Sequence, residues 1–200
     1  MNIDGLNFYG KKIVLASKSP RRKDILNMIG LDFEIQPSNY KEDGDDGKTP
    51  LELAVDHSLA KSRNVAANFS DAWIIGADTI VVHGQDILEK PDDKKDAITM
   101  LEKLSGNTHR VITGYTILNS ANRKHLSSSE ITKVTFRELA REEIEFYVNN
   151  YTYEDKAGSY AIQDFSAIFV KEIQGCFYNV VGFPISAFFN LAKNKLAKCL

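Results

Sequence analysis

The segment Trp73-Ile74-Ile75-Gly76-Ala77-Asp78-Thr79-Ile80-Val81-Val82 constrains the fold more than any other. It is the most strand-like run in the chain, and it carries a single carboxylate. Strand alternation places Asp78 on the same side as Ile74, Ile80 and Val82, a side that is otherwise apolar. A carboxylate in such company costs heavily in desolvation unless it is hydrogen-bonded, paired or bound to a metal, and catalytic bases are found in such places. A capped structural aspartate at a strand bulge is the competing explanation. Gly76 and Thr79 point to a tight, approachable backbone around it.

Strand and helix signals alternate on both sides of this run. Ile13-Val14-Leu15-Ala16 reads as a strand, followed by the polar turn Ser17-Lys18-Ser19 and a helix with Ser19 as N-cap, Pro20 in the first turn and Gly30 as stop. Phe33 and Ile35 suggest a second strand before an acidic loop from Ser38 to Lys48. Thr49 and Glu52 have capping-box spacing ahead of a helix whose buried face is Ala54, Val55, Leu59 and Ala60. Further on, a turn at His83–Asp86 leads to Ile87-Leu88, a helix runs from about Asp93 to Leu104, and strands are expected at Arg110–Leu118 and Ile131–Phe136. A glutamate-rich helix carries Ile144, Phe146 and Val148, and the tail supplies apolar runs at Ile168–Ile173 and Cys176–Val181 before a last helix after Pro184. This interleaving predicts an α/β fold with a mixed sheet, and no repeat or linker divides it.

Composition excludes several function classes. The 200 residues are 43% hydrophobic, with Lys+Arg 25 against Asp+Glu 27 and a net charge of -2, so no cationic excess exists to grip a nucleic-acid backbone. The two cysteines, Cys176 and Cys199, have no CxxC spacing, which suits a reducing compartment and makes the cytoplasm the expected location. Neither a signal peptide nor a membrane span is expected. Gly47-Lys48-Thr49 resembles the end of a phosphate-binding loop, but Glu42 stands where its first glycine belongs. His57, His83, His109 and His125 have no shared-face spacing for zinc, and GxGxxG and GxSxG are absent.

Arg21, Arg22 and Lys23 crowd cations into the first turn of a helix, where each is unfavourable by roughly 0.3–1 kcal/mol. Either the patch is solvated, or an anion compensates it, as a phosphate would at free helix N–H groups beside Ser17 and Ser19. On the second view Arg22 serves a ligand, and its removal should leave the ligand-free protein no less stable. The carboxylates of the acidic loop, Glu42, Asp43, Asp45 and Asp46, are either exposed or part of an oxygen-ligand site for Mg2+ or Mn2+.

Taken together, Leu15-Ala16-Ser17-x-Ser19-Pro20-Arg21-Arg22, Gly76-Ala77-Asp78-Thr79, Glu89-Lys90-Pro91, Asp155-Lys156-Ala157-Gly158-x-Tyr160-x-Ile162-Gln163 and Asn179-Val180-Val181-Gly182-x-Pro184 resemble the Maf family of nucleoside triphosphate pyrophosphatases. The similarity runs in order from about Ile13 to Leu191. It implies a single catalytic domain over 13–200, related in fold to the inosine triphosphate pyrophosphatases, with 1–12 as a short extension. It also implies hydrolysis of a nucleoside triphosphate to monophosphate and pyrophosphate, dependence on Mg2+ or Mn2+, and a cytoplasmic homodimer.

The same resemblance assigns residues. Gln163 is similar to the residue that marks the branch acting on dTTP and UTP, against a sister branch preferring 7-methyl-GTP. Asp78 corresponds to the catalytic acidic residue, as base, metal ligand or both, and Glu42 to an active-site position that would hold the metal with it. Ser17, Arg21, Arg22, Lys61, Thr79, Lys90 and Gln163 correspond to positions that bind or select substrate. Ala161 stands where relatives often have glycine, and Asp164-Phe165-Ser166 replaces a glycine-rich stretch, which implies a stiffer loop after Gln163. A nucleotide-binding regulator without turnover, in line with the family's link to septum formation, is the alternative from another class. It would need the binding residues without Asp78.

Overall fold

The computed structural model describes residues 7–42 and 47–200. Asp43, Asp45 and Asp46 of the acidic loop, and the first half of the expected extension, lie outside the described residues. In chain order the elements are β1 (Lys12–Leu15), α1 (Pro20–Met28), β2 (Glu34–Ile35), α2 (Pro50–Ala66), β3 (Ala72–His83), β4 (Asp86–Leu88) and α3 (Lys94–Leu104). They continue with β5 (Thr108–Asn119), β6 (His125–Phe136), α4 (Arg141–Asn150), β7 (Val170–Gln174), α5 (Phe177–Val181) and α6 (Ile185–Lys195). The seven strands form one mixed sheet in the order β2-β1-β3-β5-β6-β7, with β4 antiparallel to β3. β1 runs parallel to β2 and β3, and β7 antiparallel to β6. The α/β class and mixed sheet expected from the interleaved signals are what the chain adopts.

Contacts gather into two compact units, one of Met1–Asp78, Thr113–Glu130 and Gly182–Leu200, the other of Thr79–Ile112 and Ile131–Val181. In the first, Val14, Ala16, Val65, Ala66, Ile74 and Leu118 are buried together, so α2 closes over β1, β3 and β5. Two strand glycines set how closely. A β-carbon on Gly114 would stand 2.2 Å from the Ala54 carbonyl oxygen, and one on Gly76 2.4 Å from that of Ser58. Only glycine lets the helix backbone approach the strands this far. Thr49 and Glu52 form the expected capping box, fixing where α2 begins.

In the second unit, Leu101, Leu104, Val134, Phe136, Ile144, Tyr147 and Phe169 build a core rich in aromatic side chains. Buried within it, His109 Nε2 lies 2.7 Å from the Tyr160 hydroxyl.

Two local expectations change, at Ser19 and at the start of β6, and one apolar run takes a definite form. Ser19 occupies the N-cap of α1, but its side chain makes no cap bond; instead its backbone N–H donates to Ser17 Oγ at 3.2 Å. Cys176–Val181 is helical from Phe177 onward, because Gly175 turns the chain at a φ of 130° and ends β7. β6 starts at His125, six residues earlier than its apolar pattern suggests, since the polar run Ser127-Ser128-Ser129 is half-buried and Ser127 Oγ bonds Thr116 Oγ1 at 2.8 Å.

Burial, with a smaller contribution from His83, holds the His109 pKa down at about 3. The unfolded value is about 6.5, so the unfolded chain binds the proton more readily. Stability from His109 is therefore complete above about pH 6.5 and lost as pH falls toward 3. Denaturant unfolding across this window should show a falling midpoint in the wild type and a shallower fall in His109→Gln.

Candidate active site

β1 ends opposite Ile75, so Gly76, Ala77 and Asp78 run past its carboxyl end, the usual place for a ligand in a parallel sheet. Alternation puts Gly76 and Asp78 on one face. Because α2 rests on Gly76, the helix residues one turn apart that flank this contact, His57 and Lys61, are brought over Asp78. Lys61 Nζ lies 2.5 Å from Asp78 Oδ1 and 2.6 Å from Glu42 Oε1, bridging the two carboxylates. Asp78 and Lys61 are largely buried, whereas Glu42 is exposed.

Burial alone would push the Asp78 pKa up, but His57, Lys61 and Arg22 outweigh it and hold the carboxyl well below the usual carboxylate range. Asp78 is thus ionised at neutral pH despite its surroundings. His57 Nδ1 is 3.5 Å from Asp78 Oδ2, too long for a good hydrogen bond, and Tyr40 meets the imidazole edge-on with ring centroids 5.8 Å apart. Glu42, His57 and Asp78 each offer one ligand atom, all within 4.8 Å of one another. A divalent cation fits this donor set of two carboxylates and an imidazole.

At the start of α1, Ser17 is buried and Arg21 and Arg22 are half-buried. Arg22 Nε donates to the Gly182 carbonyl at 2.9 Å, and Nη1 to Ser17 Oγ at 3.3 Å. The guanidinium therefore has a structural duty that sequence did not reveal, and its removal cannot leave the ligand-free protein unaffected. Ser17, Arg22, Glu42, Lys61 and Asp78 thus gather in the first unit.

Thr79, Lys90 and Gln163 belong to the second unit. Thr79 follows Asp78 in β3 and is half-buried, while Lys90 and Gln163 are exposed. The Gly158 N–H donates to the Glu89 carbonyl at 3.1 Å, tying the Glu89-Lys90-Pro91 segment to the one that leads to Gln163. Gly158 and Ser159 both take positive φ, and a β-carbon on Gly158 would meet Val81 at 3.0 Å. Beyond Gln163, Ser166 Oγ donates to the Ala161 carbonyl at 2.6 Å and its N–H donates to Asp164 Oδ1 at 2.9 Å, which stiffens the loop.

His57 is the site residue that sequence reasoning passed over. Zinc-type histidine pairs were the wrong pattern to seek. The usable signal was its position four residues before Lys61, on the same helix face.

A buried ionised carboxylate beside basic and acidic side chains, past the end of a parallel strand, is the kind of site in which anionic ligands and a cation are handled together. The family described as Maf-like protein matches residues 12–195, and the chain belongs to it. The chain is 48% identical to a dTTP/UTP pyrophosphatase of Pyrococcus furiosus over 175 residues, 88% of this chain and 90% of that protein. It is 45% identical to one from a Thermoanaerobacter species over 185 residues, 92% and 96% of the two chains, and 47% identical to one from Bacillus anthracis over 176 residues, 88% and 91%. No helix among the described residues is long and apolar enough to cross a membrane.

Arg22→Ala removes both the cation and the donor to Gly182. The ligand-free protein should lose about 1 kcal/mol in denaturant unfolding, and binding of inorganic pyrophosphate by calorimetry should weaken as well.

Proposed function

We propose that the protein hydrolyses dTTP and UTP to the nucleoside monophosphate and pyrophosphate. The observation that carries this reading is the buried, ionised Asp78 clasped by Lys61, in a chain of the Maf family whose similar relatives are named dTTP/UTP pyrophosphatases. In the reaction a water oxygen bonds to the α-phosphorus, the bond to the bridging oxygen breaks, and pyrophosphate leaves with the electron pair. Negative charge builds on that bridging oxygen, and Arg22 with Arg21 and Lys61 supplies opposing charge, Lys90 being a further substrate-binding cation on this reading. Asp78 orients the water. A carboxylate held so far below its ordinary range suits orienting a water and holding a cation better than removing a proton outright. Glu42 and Asp78 would hold a divalent cation, Mg2+ or Mn2+, which when bound would supply positive charge against the triphosphate. The enzyme acts in the cytoplasm as a homodimer.

Base choice falls to Gln163 on this reading, with Thr79 beside Asp78 as a second selecting residue. Uracil and thymine present an N3–H donor beside carbonyl acceptors, which one carboxamide can satisfy in both senses. Cytosine presents an acceptor and an amino group there, leaving mismatched groups unpaired. The stiffened loop after Gln163 supports such discrimination by limiting how far the carboxamide can rearrange.

Purified protein assayed for pyrophosphate release should turn over dTTP and UTP best, with CTP and canonical purine triphosphates much poorer. Gln163→Glu should lose the preference. Comparable kcat/KM for CTP and UTP in the wild type would overturn the base assignment while leaving the reaction class standing. Asp78→Asn keeps the size and removes the charge, so kcat should fall by roughly a hundredfold or more while folding, followed by circular dichroism, survives. Nucleotide binding without turnover in the wild type would instead favour the regulatory role.

A further inference from the structure

His57 is a polar side chain without a satisfied partner inside a well-packed region. The residue is only 6% exposed, and among the described residues neither Nδ1 nor Nε2 has a hydrogen-bond partner. Leaving a buried polar group unpaired costs roughly 1–3 kcal/mol, so a core histidine of this kind needs a reason. Its surroundings provide one. Lys61 engages Asp78 through Oδ1, which leaves Oδ2 directed to His57 Nδ1 at 3.5 Å. Two ligands about 2.1 Å from one ion stand roughly 3.0–3.5 Å apart, so the imidazole nitrogen and the free carboxylate oxygen already have the separation of neighbouring ligands. Glu42 brings the third ligand atom within the same 4.8 Å cluster.

We propose that His57 Nδ1 is a direct ligand of the divalent cation and that it makes the site prefer first-row transition-metal ions over Mg2+. The inference rests on the reading above in which Asp78 and Glu42 hold the cation. Carboxylate and water oxygens suit Mg2+, whereas an imidazole nitrogen adds affinity for softer divalent ions, in the order of increasing nitrogen preference from Mn2+ through Co2+ to Ni2+. Lys61 contributes in the other direction: its ammonium neutralises part of the carboxylate charge on which a purely electrostatic Mg2+ site depends.

Electron paramagnetic resonance of Mn2+ added to the nucleotide-free protein tests this without recourse to activity. The bound ion should show nitrogen hyperfine coupling of a coordinated imidazole, and Mg2+ should displace it only at a large excess. In His57→Leu the nitrogen coupling should vanish and Mn2+ affinity should fall roughly tenfold, with Mg2+ affinity, measured by calorimetry, changed much less. Wild-type protein that binds no Mn2+ at millimolar concentration, binds it without nitrogen coupling, or releases it to equimolar Mg2+ overturns the proposal. The wild-type spectrum decides the matter even if the leucine variant folds poorly. Because no nucleotide is present, failure to hydrolyse dTTP or UTP would count against the proposed reaction and leave this result intact.

Discussion

The ammonium of Lys61 between Asp78 and Glu42 is the interaction on which the site depends. Asp78 is buried, and an unpaired carboxylate at that position would be driven to its neutral form. His57, Lys61 and Arg22 together prevent this, Lys61 at 2.5 Å, and with Glu42 and Asp78 the lysine forms an acid–base–acid row whose formal charge is -1. That balance lets the site keep an ionised carboxylate in a protein interior and still have negative charge to offer a cation. The cost is competition, because lysine and metal ion seek the same oxygens. The arrangement resolves it by division: Lys61 takes Oδ1 of Asp78, and Oδ2 faces His57.

Delivering Lys61 to that point is a packing problem before it is an electrostatic one. A lysine side chain has reach, but the imidazole of His57 has little, so the helix itself must come close to the strand. Gly76 and Gly114 make this possible, since their missing β-carbons are replaced by the carbonyls of Ser58 and Ala54. Ser58 and Ser62 complete the contact: Ser58 Oγ bonds Thr116 Oγ1 at 2.8 Å, and Ser62 Oγ donates to the Ser58 carbonyl at 2.9 Å. The helix face against the sheet is therefore small and polar where the helix is closest, and each hydroxyl is hydrogen-bonded. A larger apolar residue at these positions would lift α2 and take His57 away from Asp78.

Much of this was legible in the sequence, for reasons that differ from residue to residue. Asp78 stood out because a charge in an apolar strand violates the burial rule, and strand alternation fixed its face without any tertiary information. The capping box at Thr49 and Glu52 was readable because capping is local. The bond from Arg22 to the Gly182 carbonyl was not, because it joins residues 160 apart and involves a backbone atom that carries no sequence signature. His57 was hidden for another reason: its partner sits in a different element, and only the glycine-mediated approach of α2 to β3 makes them neighbours. The helical segment from Phe177 was obscured by β-branched and aromatic residues, whose strand preference is overridden by the turn at Gly175.

Two buried histidines illustrate how surroundings, rather than residue type, decide a role. His109 bonds the Tyr160 hydroxyl through Nε2 and packs edge-on against Phe136 and Tyr160, with centroids 5.0 and 5.4 Å away. Its Nδ1 has no hydrogen-bond partner among the described residues and burial keeps the ring neutral, so it behaves as an aromatic core residue with one polar handle. His57 has a similarly small exposure but different company: a carboxylate oxygen at 3.5 Å, a second carboxylate in the same cluster and, among the described residues, no hydrogen bond to either nitrogen. A core of aromatic rings rewards the first arrangement through packing alone. The second keeps one ring contact, edge-on with Tyr40, and its lone-pair nitrogen faces no hydrogen-bond donor among the described residues, so packing accounts for the ring and leaves its nitrogens unexplained.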